Sequence, residues 1–204
     1  MELLLIRHAL PVRVAAADGA ADPQLSEIGE RQAALLADYL HVETIHGLYS
    51  SPLRRAAETA EHVGRRLGMA INVSDGLAEW DRNAPEYIPI EELKATNDPR
   101  WQALVSGEWE GDEPREVFHR RVADSIESII ANHRGERAAI VCHGGVINSY
   151  LARILGIDGA NGFFYPDYTS VHRVAAASSG ERSVVTLNET AHLRDAIELR
   201  VGLR

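Results

Sequence analysis

Two stretches of the chain share one plan: "LLLIRHA" (residues 3–9) and "AAIVCHGG" (residues 138–145). Each is an apolar run that ends in a histidine, His8 or His143, followed by small residues. Continuous apolar runs of this length are typical of strands buried on both faces of a parallel sheet. In open α/β sheets the ligand crevice lies outside the carboxyl ends of the strands. We therefore expect both histidines to face one crevice, although 135 positions separate them.

The residues beside the histidines favour an anion. Arg7 adjoins His8, and Gly144 and Gly145 allow a sharp turn into a helix directly after His143. The first N–H groups of such a helix and its dipole attract negative charge. The sequence therefore predicts an anion site at the strand ends, although each histidine alone is also typical of an ordinary hydrogen-bonded strand end.

Strand-like and helix-like stretches alternate along the rest of the chain. A first helix is expected from a Ser26 cap to residue 40, and a second from a Ser51 cap, with Pro52 as first helical residue, to Gly68. A third is expected through 113–135, and a fourth from 144 to Gly156. The inward residues of the third helix are expected to be Val117, Val122, Ile126, Ile129 and Ile130. Further strands are expected at 44–50 and 70–74, with an antiparallel pair at 169–177 and 182–188. This alternation predicts an α/β fold, a three-layer sandwich with a mostly parallel central sheet and helices on both faces.

Residues 76–113 differ in composition from the segments that flank them. They hold all three tryptophans, several prolines and many acids. We interpret this stretch as an insertion with short helices that covers one side of the domain, as a lid does. A length of 204 residues suits one domain, so we predict a single domain over 1–204 that carries this insertion.

Composition and charge disfavour several classes of protein. The chain is 45% hydrophobic and 25% charged, an ordinary globular balance, and its formal net charge of −9 disfavours nucleic acid or an anionic membrane as partner. Cys142 is the only cysteine, which excludes an internal disulfide. No apolar run approaches the ~18 residues of a membrane span, and the one at the start is too short for a signal peptide. We therefore expect a cytoplasmic protein.

Several common catalytic motifs are missing from the sequence. The chain contains no GxxxxGK[ST], GxGxxG, HExxH or GxSxG pattern. A cysteine-based phosphatase requires an arginine six residues after its cysteine, and Asn148 occupies that position after Cys142. The other seven histidines show no metal-ligand spacing with carboxylates. We therefore expect neither a cofactor nor a metal ion.

In its motifs the chain resembles the histidine phosphatase superfamily, in the phosphoglycerate mutase-like branch of phosphatases. The similar segments follow the family's order and span nearly the whole chain: "LIRHA" (5–9), "LSEIGERQA" (25–33), "SSPLRRAAETA" (50–60), "LAEW" (77–80), "VCHGGVI" (141–147) and "LNETAHL" (187–193). One such segment is a weak indication, whereas this series in sequence order is a strong one. The resemblance implies a phosphomonoesterase that works without a metal ion.

The resemblance also implies a role for each site residue. His8 attacks phosphorus and carries the phosphoryl group as phosphohistidine, so its ring must be neutral and its other N–H needs an acceptor such as a backbone carbonyl. Arg7 and Arg55 clamp phosphoryl oxygens through planar charged groups. His143, protonated beside the dianion, is a further donor, and the backbone N–H near Gly144 assists.

Glu79 is the implied proton donor to the leaving oxygen, and later the base for the attacking water. It must be protonated for the first step, which partial burial and the phosphate charge favour, so hydrolysis is expected to be fastest at acidic to neutral pH. Asp81 is close enough in the sequence to be a rival donor. Arg54 falls on a variable position of the motif that selects Arg55, and we expect it to be exposed.

The chain departs from the family pattern just after His8. Ala9 replaces the usual glycine, and Pro11 and Val14 stand where many members carry a serine and an asparagine. Arg13 is a candidate replacement for a lost phosphate contact. These changes favour hydrolysis over phosphoglycerate mutase-type transfer. A phospho-ligand-binding regulatory protein without turnover is the alternative from another class.

The predicted partner is a phosphorylated small-molecule substrate, with a phosphoprotein as an alternative, and the interpretation allows a homodimer. Within the insertion, Trp80, Arg82, Tyr87 and Trp109 are candidate contacts to the part of the substrate beyond the phosphate. For the tryptophans, a small core within the insertion is the alternative that we favour.

Overall fold

The computed structural model describes residues 1–157 and 162–201. The helices are α1 (Glu27–Leu40), α2 (Arg54–Leu67), α3 (Ile90–Ala95), α4 (Pro99–Ser106), α5 (Arg115–Asn132) and α6 (Gly144–Leu155). The strands are β1 (Glu2–Arg7), β2 (Val14–Ala15), β3 (Gly47–Ser50), β4 (Ile71–Val73), β5 (Glu86–Tyr87), β6 (Arg137–Cys142), β7 (Val171–Ala176) and β8 (Arg182–Glu189). In the described ranges, no helix combines the length and apolar character needed to cross a bilayer. The single domain over 1–204 includes residues outside these ranges and stays a prediction.

Six strands form the main sheet, in the order β4-β3-β6-β1-β7-β8. The four strands from β4 to β1 are parallel, while β7 and β8 continue the sheet as antiparallel neighbours. The expected antiparallel pair near the end of the chain is thereby confirmed. At the centre of the sheet, β1 and β6 are buried from their second residue onward, in keeping with their uninterrupted apolar runs.

Successive residues of β1 supply two separate cores, one on each face of the sheet. Leu3 and Leu5 pack with residues of α5 and α6, whereas Leu4 and Ile6 pack with residues of α1 and α2. This alternation follows from the two-residue period of a strand. The predicted three-layer α/β sandwich with a mostly parallel sheet is confirmed.

The predicted caps hold for most helices. Ser26 Oγ accepts a backbone N–H of the first turn of α1 at 3.0 Å, as an N-cap does. Gly68 and Gly156 end α2 and α6 with left-handed φ values of 68° and 65°, a conformation that glycine adopts without strain.

Two details of the predicted helices are wrong. The N-cap of α2 is Leu53, because Ser51 belongs to the loop after β3, where its hydroxyl accepts the N–H of Leu53 at 3.2 Å and contacts His143. In α5, Val117 is 46% exposed and Phe118 takes the inward position. The first turn of α5 is therefore rotated by one residue from the predicted orientation.

Residues 76–113 contain the short helices α3 and α4, and strand β5 pairs with β2. The ring of Trp80 stacks on Phe118 of α5 with centroids 5.5 Å apart, and Trp109 lies 6.4 Å from Trp80. These tryptophans thus form a small core beneath the segment, the alternative favoured from the sequence. Its description as a lid stays a prediction.

Phe118→Ala is expected to lower the free energy of unfolding by about 3–5 kcal/mol, because the ring is buried in the core between α5 and the sheet. Val117→Ala is the matched control at the neighbouring exposed position, and its expected effect is below about 0.5 kcal/mol. Urea denaturation followed by circular dichroism measures both. Equal effects of the two substitutions would contradict the orientation of α5.

Candidate active site

The carboxyl ends of β1 and β6 bring the two predicted histidines together. Arg7 pairs with Cys142 in the parallel register, and the N–H of His8 donates to the Cys142 carbonyl at 2.9 Å. The ring centroids of His8 and His143 consequently lie 5.1 Å apart. Both side chains are buried, with exposures of 3% and 0%. The expected meeting of the two histidines at one edge of the sheet is what the structure shows.

The ring of His8 has a defined tautomer. Its Nδ1 lies 2.8 Å from the carbonyl oxygen of Ala9, which can only accept, so Nδ1 carries the proton. The neutral ring therefore has an unprotonated Nε2. Burial, together with the positive charges of Arg55 and Arg7, holds the pKa of His8 well below its usual value. At physiological pH His8 is thus a neutral base.

His143 contacts the end of a third parallel strand. Its Nε2 lies 2.7 Å from the hydroxyl of Ser51, the residue after β3. Burial and the charge of Arg55 lower the pKa of His143 well below its usual value, so the protein surroundings favour the neutral ring. A dianion acts in the opposite direction, and the protonation of His143 beside one stays a prediction.

Arg7 is buried against two aromatic rings. Its guanidinium carbon lies 3.8 Å from the ring centroid of Tyr168 and 4.8 Å from that of Tyr165. Its Nη1 donates to the carbonyl of Pro166 at 2.6 Å. Among the described residues, no carboxylate forms an ion pair with Arg7. Ring faces and a carbonyl dipole surround its charge in place of a direct counter-ion.

Arg55 enters the site from the first turn of α2 and is 2% exposed. Its guanidinium carbon lies 4.7 Å from the ring centroid of Tyr87, and its Nη2 contacts Asp81 at 3.4 Å. The preceding Arg54 points outward and pairs with Glu58. The structure thus separates the two consecutive arginines as the sequence motif predicted.

Three buried nitrogens of the site lack a hydrogen-bond partner among the described residues. They are Nε of Arg7, Nε of Arg55 and Nδ1 of His143. An unpaired buried donor costs about 1–3 kcal/mol, and more when it is charged, so such a cluster calls for an explanation. All three belong to residues assigned to phosphate binding from the sequence. An anion beside His8 would supply their missing acceptors.

Glu79 follows β4 and a short 3-10 turn at Asp75–Leu77, so it also enters at the carboxyl end of a parallel strand. Its Oε2 accepts the N–H of Gly145 at 2.8 Å, and its Oε1 accepts the N–H of Trp80 at 2.9 Å. Burial and the charge of Asp81 raise the pKa of Glu79, against the opposing effect of these two bonds. The carboxyl group is therefore fixed at the start of α6 and biased toward its protonated form.

Arg121 of α5 holds the loop that carries Glu79, a role that sequence reasoning missed. Its Nη1 donates to the carbonyls of Gly76 and Ala78 at 3.1 and 2.7 Å. A single arginine on an amphipathic helix is typical of a solvated face, so no local pattern singled it out.

Thr59 and Ser51 are further polar residues of the site whose roles were missed. The Thr59 hydroxyl accepts the N–H of Ala9 at 3.0 Å and donates to the carbonyl of Arg55 at 2.7 Å. Both residues lie within the motif at 50–60, so a signal for them was present in the sequence. Ser51 also follows a strand end, the same position that identified the two histidines.

The residues that depart from the family pattern have structural positions. Pro11 is buried and forms an isolated bridge with Leu25, and Val14 lies in β2. The suggestion that Arg13 replaces a phosphate contact is wrong. Its side chain is 55% exposed and pairs with Glu86 at 3.0 Å, because acids of the inserted segment lie beside it.

Of the four candidate substrate contacts in the insertion, Tyr87 packs against a site residue, Arg55. Burial raises the pKa of Tyr87, so its hydroxyl stays protonated. Arg82 pairs instead with the exposed Asp75 at 2.9 Å, and the two tryptophans belong to the small core described above.

The cysteine at this edge of the sheet is not a reactive thiol. Burial raises the pKa of the Cys142 thiol, which therefore stays protonated. Over residues 1–157 and 162–201, no set of three or more His, Cys, Asp or Glu side chains is arranged to hold a metal ion.

A family model of the histidine phosphatase superfamily (branch 1) matches residues 3–190. The chain belongs to this superfamily. The match spans the strand ends that carry both histidines and the segment that carries Glu79, so the resemblance drawn from the sequence motifs is confirmed.

Curated relatives of this histidine phosphatase include a named phosphatase and probable phosphoglycerate mutases. Phosphoserine phosphatase 1 of Hydrogenobacter thermophilus is 26% identical over 199 residues, which cover 95% of this chain and 94% of the relative. A probable phosphoglycerate mutase of Yersinia enterocolitica is 26% identical over 163 residues, which cover 77% and 76%. Against three mycobacterial relatives the chain spans 50% of their length.

A solved structure with the same fold is the mycobacterial glucosyl-3-phosphoglycerate phosphatase. It superposes with a TM-score of 0.73 at 22% identity, over 92% of this chain and 98% of the other. The likeness confirms the α/β architecture. Together with the family match, the named phosphatases are consistent with a hydrolase of this superfamily.

Gly145→Ala is expected to reduce phosphatase turnover at least tenfold, a barrier change of about 1.4 kcal/mol. A Cβ at this position would lie 2.3 Å from Glu79 Oε1 and would displace the carboxyl group. Gly162→Ala is the control, because a Cβ there meets nothing within 4 Å. Steady-state kinetics with p-nitrophenyl phosphate measures both. Unchanged turnover of Gly145→Ala would refute the dependence on this close approach.

Proposed function

We propose that the protein is a phosphomonoester hydrolase that acts through a phosphohistidine on His8, without a metal ion. The observation that carries the proposal is the meeting of a neutral His8 with three buried, unpaired nitrogens on Arg7, Arg55 and His143. The dianion of a phosphate monoester supplies acceptor oxygens for these nitrogens and an electrophile for His8. Membership of the superfamily supports the same chemistry.

In the first half-reaction, Nε2 of His8 attacks phosphorus as the bond from phosphorus to the ester oxygen breaks. The Nδ1–H of His8 stays bonded to the Ala9 carbonyl, which holds the ring in line and stabilises its positive charge. Arg7 and Arg55 bind the phosphoryl oxygens, and His143 adds a donor where charge develops. The first N–H of α6, at Gly144, has no acceptor within its own helix and is a further candidate donor to the same charge.

Glu79 serves both half-reactions in the proposed mechanism. Protonated Glu79 gives its proton to the leaving oxygen as the ester bond breaks, and its carboxylate then takes a proton from the water that attacks phosphohistidine. The bond from phosphorus to Nε2 breaks in this second step and restores neutral His8. Asp81 is engaged with Arg55 at 3.4 Å, so we assign the donor role to Glu79.

Hydrolysis is favoured over mutase-type transfer by the residues just after His8. A phosphoglycerate mutase has to retain a substrate that carries a carboxylate as well as a phosphate. Binding that carboxylate requires further polar or charged groups. Pro11 has neither N–H nor hydroxyl, Val14 is an apolar strand residue, and Arg13 is engaged with Glu86. These three residues therefore offer no free donor to bind that carboxylate.

Turnover is favoured over a purely binding function by the fit of Ala9. Its N–H donates to Thr59 and its side chain is fully buried, so the methyl group is accommodated in the core. The carbonyl of Ala9 itself accepts the Nδ1–H of His8 and orients its ring. The substitution of the family's glycine therefore leaves the nucleophile in place.

We propose a phosphorylated small molecule as the substrate. The buried phosphate site and the names of the phosphatase relatives support this choice. A phosphoprotein remains the alternative substrate, and the cytoplasmic location and the homodimer stay predictions from the sequence.

The wild-type protein is expected to release phosphate from p-nitrophenyl phosphate, and His8→Ala to lower kcat at least 10³-fold, about 4 kcal/mol, because the covalent intermediate requires this ring. His41→Ala, at an exposed histidine after α1, is the matched control.

With 3-phosphoglycerate as substrate we expect the wild-type protein to release free phosphate. Isomerised product would favour the mutase alternative, and phosphate binding without turnover would favour the regulatory one.

The rate is expected to fall at alkaline pH, as Glu79 loses the proton that the leaving oxygen needs. The raised pKa of Glu79 extends its protonated range upward, and the lowered pKa of His8 keeps the nucleophile unprotonated on the acid side. Asp81→Asn removes a charge that raises the pKa of Glu79, so the falling limb moves to lower pH. The control Asp75→Asn, at the exposed partner of Arg82, leaves the profile unchanged.

The pH dependence of kcat measures this shift. Abolished turnover in Asp81→Asn at every pH would transfer the donor role from Glu79 to Asp81. A wild-type rate that climbs steadily to alkaline pH would contradict an acid donor altogether.

A further inference from the structure

A carboxylate of the inserted segment, Glu91, contacts two tyrosines that lie beside Arg7. Glu91, in α3, accepts the hydroxyl of Tyr168 at 3.1 Å on Oε2 and the hydroxyl of Tyr165 on Oε1. Each oxygen of the carboxylate thus binds one phenol. The two tyrosines lie 74 and 77 positions further along the chain, so the contact fastens the insertion to the segment before β7.

The same two tyrosines form the surroundings of Arg7. Their ring centroids lie 3.8 and 4.8 Å from its guanidinium carbon, and the Pro166 carbonyl between them accepts from its Nη1 at 2.6 Å. Segment 165–168 therefore encloses the guanidinium on several sides. These contacts hold the guanidinium group, whose Nε has no hydrogen-bond partner among the described residues.

Glu91 also suits this place electrostatically. A carboxylate in direct contact with Arg7 would compete with phosphate for the guanidinium. Glu91 is separated from Arg7 by the rings of Tyr165 and Tyr168, and its negative charge still offsets part of the positive charge of Arg7. Burial opposes a charged Arg7, yet the surrounding Tyr165, Tyr168 and Glu91 leave its pKa raised.

We propose that Glu91 is a positioning residue for Arg7, which it orients toward phosphate by fixing the rings of Tyr165 and Tyr168. The inference rests on the proposed function in one respect, that Arg7 binds the phosphoryl group. Glu91 itself touches neither phosphate nor His8. The insertion thereby contributes to phosphate affinity through a chain of two contacts.

Inorganic phosphate is the probe, titrated by calorimetry into the whole protein. Glu91→Ala is expected to weaken phosphate binding about tenfold, because both phenols lose their acceptor and the rings are released. Glu91→Gln keeps one acceptor oxygen and is expected to recover part of the loss. Glu92→Ala is the matched control from the same helix, since Glu92 pairs with the exposed Arg13 at 3.6 Å.

A double-mutant cycle separates positioning from a general structural role. In a Tyr165→Phe/Tyr168→Phe background the phenols are gone, and Glu91→Ala is expected to cost less than about twofold. Equal losses in both backgrounds, or no loss in the wild type, would overturn the proposal. If the double variant does not fold, Tyr165→Phe alone is the background, and the Glu91→Ala loss should then shrink to about threefold.

Failure of this inference and failure of the proposed function give different results. A protein that binds phosphate with a Glu91-dependent affinity but hydrolyses no monoester would refute the hydrolase and support the positioning role. A protein that hydrolyses monoesters with a phosphate affinity indifferent to Glu91 would refute the positioning role alone.

Discussion

The parallel pairing of β1 with β6 fixes the separation of two imidazole rings, and the other site residues are arranged around that separation. The register places the residues after Arg7 and Cys142 side by side. A slip of one residue would turn Leu3 and Leu5 from one core into the other, so burial on both faces holds the register strongly. The relative position of the two rings is therefore secured by the same apolar residues that stabilise the sheet.

The site contains two buried guanidinium groups, Arg7 and Arg55, whose positive charges require compensation. The protein compensates them without a close carboxylate on either group. Arg55 has a single long contact to Asp81, and Arg7 lies against aromatic faces. A close, bidentate carboxylate on either arginine would stabilise the folded protein but occupy the donors that an anion needs. In surroundings of low dielectric constant the remaining attraction for a dianion is strong. The site thus keeps its positive potential by leaving its charges incompletely neutralised.

The sequence predicted those parts of the site that depend on local pattern. Apolar runs that end in His8 and His143 revealed the strand ends, and the motif at 50–60 distinguished Arg55 from Arg54. Contacts between remote segments had no such pattern. Glu91 and Arg121 carry no periodic or spacing signal, because their partners lie tens of residues away.

The errors in the predictions also arise from contacts between residues that are distant in the sequence. The pair Ser51–Pro52 fits a helix start by local chemistry, but the neighbouring strand end and its histidine draw Ser51 into the site. Arg13 fits a phosphate ligand by sequence position, yet acids of a distant segment engage it. Val117 fits the apolar period of α5, but Phe118 is the residue that packs under the insertion's tryptophan. In each case a tertiary contact outweighs a local preference.

The hydroxyl of Thr59 links two elements of the site that are distant in the sequence. It ties the turn after His8 to the helix that carries Arg55, through one bond accepted and one donated. A displacement of α2 against the sheet would therefore strain both bonds unless the turn after His8 moved with it. One hydroxyl group thus constrains the distance between the His8 ring and the Arg55 guanidinium.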